Sequence, residues 1–289
     1  MLNASLKKRL IAAQVSEITE HYIYKRLSEK IHDPQNKKIL HEIAEDELKH
    51  YNLWKKYTQQ EPKPNRKKMW WYYLMARIFG LTFGVKLMEK GERKAQVHYN
   101  RLTGILAEAK LVIKDEERHE QSLINLLEEE KLSYIGSVVL GLNDALVELT
   151  GALAGFTLAL QNTQLIAVVG LITGFAASLS MAASEYLSKK ADDGGKQPLT
   201  SSIYTGIAYI FTVLLLVFPY FVLSNVYYAL SWTIGNAIVI IFLFTFYVSI
   251  ARGYSFRKKF WEMIIISLGV AALSFGIGYL IRTFLGVDV

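Results

Sequence analysis

From residue 134 onward the chain carries five mostly apolar stretches, over 134–160, 164–187, 203–223, 229–251 and 262–285. Each runs to about 20 residues or more, enough for a helix to cross a hydrocarbon core roughly 30 Å thick. Before that point the chemistry is the opposite. Residues 1–133 hold 25 of the 33 Lys and Arg and 19 of the 26 Asp and Glu, which leaves eight and seven for everything after. The chain is therefore expected to divide into a charged domain, 1–133, and a membrane domain, 134–289. The first 30 residues contain no apolar core of a secretory signal ahead of a small-residue cleavage site.

The loops between the apolar stretches set an orientation. Gln161 to Thr163 and Ser224 to Tyr228 are short and uncharged, whereas the other two loops are basic. One of these holds Lys189, Lys190 and Lys196; the other holds Arg252, Arg257, Lys258 and Lys259. If all five stretches span, both basic loops and the charged domain lie on one side. The positive-inside rule makes that side the cytoplasm and puts the C-terminus outside, with a cell inner membrane as the expected location. The net charge of +7 is explained by this pattern, so nucleic acid is not an expected partner.

Apolar residues in the charged domain recur at three- and four-residue spacing over Leu6–Lys30, Asn36–Thr58, Met69–Leu102 and Gly104–Glu130. Four such helices make a bundle. Pro34 falls between the first two, and Pro62 and Pro64 lie in a polar linker before the third. The expectation is an all-α chain: a four-helix bundle followed by a five-helix transmembrane domain. Met69–Met88 is apolar enough to resemble a sixth span, but it contains Arg77 and Lys86 and follows Arg66, Lys67 and Lys68. It reads as half of a bundle helix, with Trp70, Trp71, Tyr72 and Tyr73 at the membrane interface in contact with lipid.

The bundle carries one ligand pattern twice. Glu17 is followed by Tyr24, then by Glu47-x-x-His50 in the next helix; Glu92 is followed by Tyr99, then by Glu116-x-x-His119. Spacings of three and seven keep the members on one helix face. Two helices each giving a Glu and two giving Glu-x-x-His form the ligand set of a carboxylate di-iron bundle. Carboxylates bridge hard cations and imidazole suits iron and manganese, so Fe(II) or Mn(II) is the expected metal. Without cysteine, thiolate zinc and iron–sulfur ligation are excluded.

Over residues 8–130 this pattern resembles the rubrerythrin branch of the ferritin-like superfamily. The resemblance implies that Glu17, Glu47, His50, Glu92, Glu116 and His119 are di-metal ligands. Glu89 matches an additional carboxylate that shifts in and out of coordination, and Tyr24 and Tyr99 would hydrogen-bond to ligands. Glu20, His21, Glu45 and His98 are expected to be solvated or internally paired. The rubredoxin module that feeds electrons to rubrerythrins is missing, which counts against peroxidase turnover.

In the membrane domain, charges within spans are costly and mark candidate sites. Asp144 and Glu148 share a face in Gly141-Leu-Asn-Asp-Ala-Leu-Val-Glu-Leu-Thr-Gly151, and Glu185 follows Met181 by one turn in Met-Ala-Ala-Ser-Glu-Tyr. Gly151-x-x-x-Gly155 and Gly170-x-x-x-Gly174 are expected to let helices approach closely. These spans resemble the vacuolar iron transporter family, most closely over 140–188. The resemblance implies a homodimer that exports Fe(II) or Mn(II) from the cytosol against protons. Asp144 and Met181 would form its in-membrane ion site, with Glu148 and Glu185 beside them. Ala145 replaces the family's glycine, and the family's Glu-rich cytoplasmic helices shrink here to Lys189–Ser202. The bundle is expected to take over ion capture. Fusions of this kind resemble the subgroup called membrane-bound ferritins. The contrasting expectation is an enzyme, a membrane-anchored di-iron oxidase or peroxidase whose bundle has ferroxidase activity and whose spans are an anchor. Asp144 and Glu148 favour transport, because an anchor needs no carboxylate in hydrocarbon.

Overall fold

The computed structural model describes residues 4–31, 33–80, 82–88, 90–91, 108–126, 134–191 and 197–285. Every regular element among them is helical. The chain divides into two compact units, Met1–Glu129 and Glu130–Val289.

The first unit contains α1 (Ala4–Ser28), α2 (Pro34–Thr58), α3 (Arg66–Phe79) and α4 (Ala109–Leu126). Helix α2 starts where the sequence places a boundary. The Asp33 side chain accepts a 2.7 Å hydrogen bond from the Asn36 N–H, and Pro34 occupies a first-turn position where no amide hydrogen is needed. Asn65 caps α3 in the same way through the Lys68 N–H.

Two apolar layers hold the unit together. One contains Ile23, Tyr24, Leu27, Leu40, Ile43, Ala44 and Leu123; the other contains Leu10, Trp54, Ala109 and Val112. Helices α1 and α4 pass from the second layer to the first, while α2 passes from the first to the second. Helix α2 therefore runs opposite to the other two. Between the layers all three helices contribute polar residues.

The expected continuous helix Met69–Leu102 does not form. Helix α3 stops at Gly80, whose φ of +94° and ψ of 159° leave helical space at little cost only because glycine has no Cβ. A second helical stretch, 82–88, then turns back against the first: a Cβ on Gly84 would lie 2.5 Å from Ala76 Cβ. Among the described residues the break counts against a sixth span here. The 14 residues of α3 extend only about 21 Å, short of the hydrocarbon core.

The second unit contains α5 (Ile135–Leu160), α6 (Thr163–Ala191), α7 (Pro198–Val222), α8 (Val226–Ala251) and α9 (Phe256–Leu285). All five are long and apolar enough to cross a membrane, which makes the chain an integral membrane protein. Helix α5 packs against each of the other four. The small-residue spacings work as expected. Gly151 and Gly155 lie against Val270 and Ser274 of α9, and Gly170 and Gly174 against Val217 and Val213 of α7. A Cβ on Gly278 would collide with the Gly155 carbonyl oxygen, so α5 and α9 touch backbone to backbone. Hydroxyls of Thr205, Thr233 and Ser267 donate to carbonyls of neighbouring helices, which satisfies polar groups that hydrocarbon could not solvate. The outward faces of α6 and α9 carry Ile172, Leu179, Ile265, Leu273 and Phe284, which is lipid-facing chemistry.

Candidate metal centre and span carboxylates

In the bundle, Glu17 from α1, Glu47 and His50 from α2 and Glu116 from α4 place one ligand atom each within 4.8 Å of one another. All four are buried, with His50 the most exposed of the α1 and α2 members at 4%. His50 Nδ1 lies 3.6 Å from Glu17 Oε2, 3.6 Å from Glu47 Oε2 and 3.7 Å from Glu116 Oε1. These separations exceed ordinary N–H···O hydrogen bonds and suit atoms that converge on a common point. His119 joins the group, with Nδ1 3.3 Å from Glu47 Oε1.

The outer faces of the two imidazoles are held by carboxylates that spacing alone did not single out. His50 Nε2 is 3.3 Å from Asp115 of α4, and His119 Nε2 is 3.2 Å from Asp46 of α2. The arrangement is reciprocal, because each Asp directly precedes the Glu-x-x-His of one helix and holds the histidine of the other. Arg118 reaches both aspartates. A visible signal existed in the repeated Asp-Glu-x-(Lys/Arg)-His of residues 46–50 and 115–119. Carboxylate–imidazole pairs of this kind fix the ring orientation and leave the inner nitrogen free to coordinate. A third unforeseen partner is Trp54, whose indole N–H donates to Glu17 Oε1 at 3.1 Å.

The electrostatics follow from this geometry. Burial opposes a charge on His50, but Glu17 and Asp115 outweigh it and hold its pKa above the usual imidazole value. Burial prevails at His119 and holds its pKa below that value, with Asp46 only partly offsetting it. Burial also works against the charge on Asp46, yet Lys49 and His119 keep its carboxyl below the ordinary range. Three glutamates gathered out of water carry a concentration of negative charge that a divalent cation would neutralise. Hard oxygen donors with two imidazoles fit iron or manganese.

Among the remaining sequence candidates in this unit, Glu45 is half-buried on α2. Tyr24 is fully buried in the apolar layer beside the site. Glu20 pairs with Lys68 at 2.9 Å, and His21 Nδ1 contacts the Ala44 carbonyl at 2.7 Å, so both are internally satisfied as expected. Burial raises the Glu20 carboxyl above its ordinary value despite the Lys68 ammonium. Glu89, Glu92, His98 and Tyr99 lie outside the described residues.

In the membrane unit, Asp144 is half-buried and interacts with Glu148 one turn on. Glu148 is exposed on α5, yet its Oε2 accepts a 2.8 Å hydrogen bond from the hydroxyl of Tyr209, which is fully buried on α7. Glu185 is buried and accepts a 2.6 Å bond from the Ser137 hydroxyl. Met181 is partly buried against the core of the five helices. The four residues thus occupy different settings, with Glu148 and Glu185 in two separate hydrogen-bonded pairs. Neither Tyr209 nor Ser137 was legible from spacing, since both contacts bridge more than 40 residues.

No curated protein matches the chain. Residues 135–194, which take in α5, α6 and the turn between them, match the VIT family, and with the five apolar helices this match supports a VIT membrane domain.

Proposed function

We propose that the chain exports Fe(II) or Mn(II) from the cytosol, with the bundle capturing the ion and the five spans conducting it. The VIT family match at 135–194 supports membrane metal-ion transport. The observation that carries the reading further is Glu148. In a 26-residue helix about 39 Å long, it sits roughly 20 Å from the start, an exposed carboxylate near mid-membrane. A charge facing lipid at that depth costs at least a few kcal/mol, whereas a second protomer covering it would create a carboxylate-lined interface. We place the ion path there, in a homodimer, with Asp144 and Glu148 as ligands, Met181 and Glu185 beside the path, and protons as counter-ion. The resident metal would supply Lewis acidity or redox chemistry in the bundle. Glu17, Glu47, His50, Glu116 and His119 would hold it, with Glu92 and the shifting Glu89 completing a rubrerythrin-like set. The membrane-anchored oxidase is the competing reading, and a chain that moves neither ion would favour it.

The test is uptake of Fe(II) and Mn(II) into proteoliposomes by the full chain. Tyr209→Phe removes only the hydroxyl that orients Glu148. Losing one hydrogen bond on this exposed carboxylate, worth about 0.5–1.5 kcal/mol, should slow transport about twofold to tenfold. The same substitution in a Glu148→Gln background should add little, because both changes act on one interaction. Additive losses would detach Tyr209 from the path. Orientation has its own check: a reporter fused after Val289 should read as extracytoplasmic and one inserted at Lys196 as cytoplasmic, and reversed signals would overturn the positive-inside assignment.

A further inference from the structure

Helix α3 is apolar on two opposite faces. Met75 and Ala76 are buried, and Met69, Tyr72 and Tyr73 pack onto the bundle core. On the other side, Trp70 is 65% exposed, Trp71 47% and Ile78 59%. With Lys67 and the half-buried Leu74, these residues fall at 67, 70, 71, 74 and 78, a single helical stripe. A helix apolar on two opposite faces normally has both of them covered. The stripe is flanked by Arg66 and Arg77, and the segment Arg66–Phe79 contains no acidic residue. Arg26 of α1 adds a further cation beside α3, its guanidinium 4.0 Å above the Tyr73 ring.

We propose that this face of α3 binds the headgroup region of an anionic membrane leaflet. Indole rings favour the boundary between water and acyl chain, and Arg and Lys at the edges of an apolar stripe meet anionic headgroups. At about 21 Å, α3 is too short to cross and suits a position lying in the plane of the interface. Charge complementarity separates this occupant from a second copy of the chain. A two-fold contact would place Arg66, Lys67 and Arg77 against the same residues, an unfavourable meeting of like charges. The proposal requires only that the chain be a membrane protein, and it stands whether or not the spans transport metal.

The chain contains no cysteine, so single spin labels can be placed without removing native thiols. Trp70→Cys and Ile78→Cys report on the stripe, and Lys38→Cys, whose native side chain is 77% exposed on α2, reports on water. Both stripe positions are outward-facing, so substitution leaves the bundle core intact. The full-length labelled protein is reconstituted into vesicles of zwitterionic lipid with and without an anionic lipid. Relaxation by oxygen, which partitions into lipid, is compared with relaxation by a water-soluble nickel chelate. With anionic lipid, the oxygen-to-nickel ratio at 70 and 78 should exceed that at 38 by about fivefold or more, and the contrast should shrink without it. Water-like ratios at both positions would overturn the proposal. So would shielding from both reagents accompanied by dipolar coupling between chains, which would assign the face to a second copy. Equal contrast in the two vesicle types would overturn the recognition of anionic charge.

Discussion

Asp144→Asn is expected to cut Fe(II) or Mn(II) transport in proteoliposomes by at least about tenfold while leaving fold and assembly intact. The substitution keeps size and shape while removing the charge that offsets a divalent cation and turning one acceptor oxygen into a donor NH2. A tenfold loss corresponds to about 1.4 kcal/mol of lost stabilisation along the path. Asp144 is half-buried on α5, where it interacts with Glu148 of the same helix. Neutralising a carboxylate in hydrocarbon should make the helix easier to insert, so a loss of transport could not be ascribed to misfolding. Metal binding by the bundle should be unchanged. Wild-type transport by the variant would remove Asp144 from the ion path. Failure of the native chain to move either ion would instead shift the account to the tethered oxidase.

Changing Glu47 and His50 together to alanine should abolish high-affinity metal binding by the bundle. The native unit is expected to hold about two divalent ions, as its ligand set implies. Glu47 lies within reach of both His50 and His119, so its loss weakens both halves of the site. The clearest readout is thermal. A ligand at a hundredfold excess over its dissociation constant stabilises the folded state by about 2.7 kcal/mol, which should appear as a metal-dependent rise in Tm of the native chain. The double variant should lose that rise. Its metal-free stability is a separate control, because removing a buried carboxylate relieves repulsion with Glu17 and Glu116 while leaving a cavity. A metal-dependent rise that persists in the double variant would show that the site lies elsewhere.

How far the sequence reached can be traced residue by residue. The Glu-x-x-His pairs were legible because a spacing of three puts two side chains on one face of any helix. That Glu17 meets them required only that the helices pack. The Asp46–His119 and Asp115–His50 pairs join residues 73 and 65 positions apart, and no local period encodes such a distance. The doubled Asp before each Glu-x-x-His hinted at a shared role but not at the crossing of partners. The break at Gly80 escaped because the apolar period continues through it, and an isolated glycine inside a helical pattern is ordinarily tolerated. The fold-back that brings Gly84 onto Ala76 is a packing event, stabilised by burial of Phe83, Val85 and Met88.

The sequence by itself determined the five apolar spans, the all-helical class and the carboxylate and imidazole chemistry of the buried cluster. Bilayer thickness and helix rise are fixed quantities, and runs of apolar residues or repeated carboxylate–histidine spacings register directly against them. Only the tertiary structure decided which groups complete each site. Tyr209 on Glu148, Ser137 on Glu185 and Trp54 on Glu17 are side chains brought from other helices, and their positions follow from how those helices cross. In the membrane unit the crossings are set by glycines that let backbones touch; in the bundle they are set by the two apolar layers that enclose the polar one.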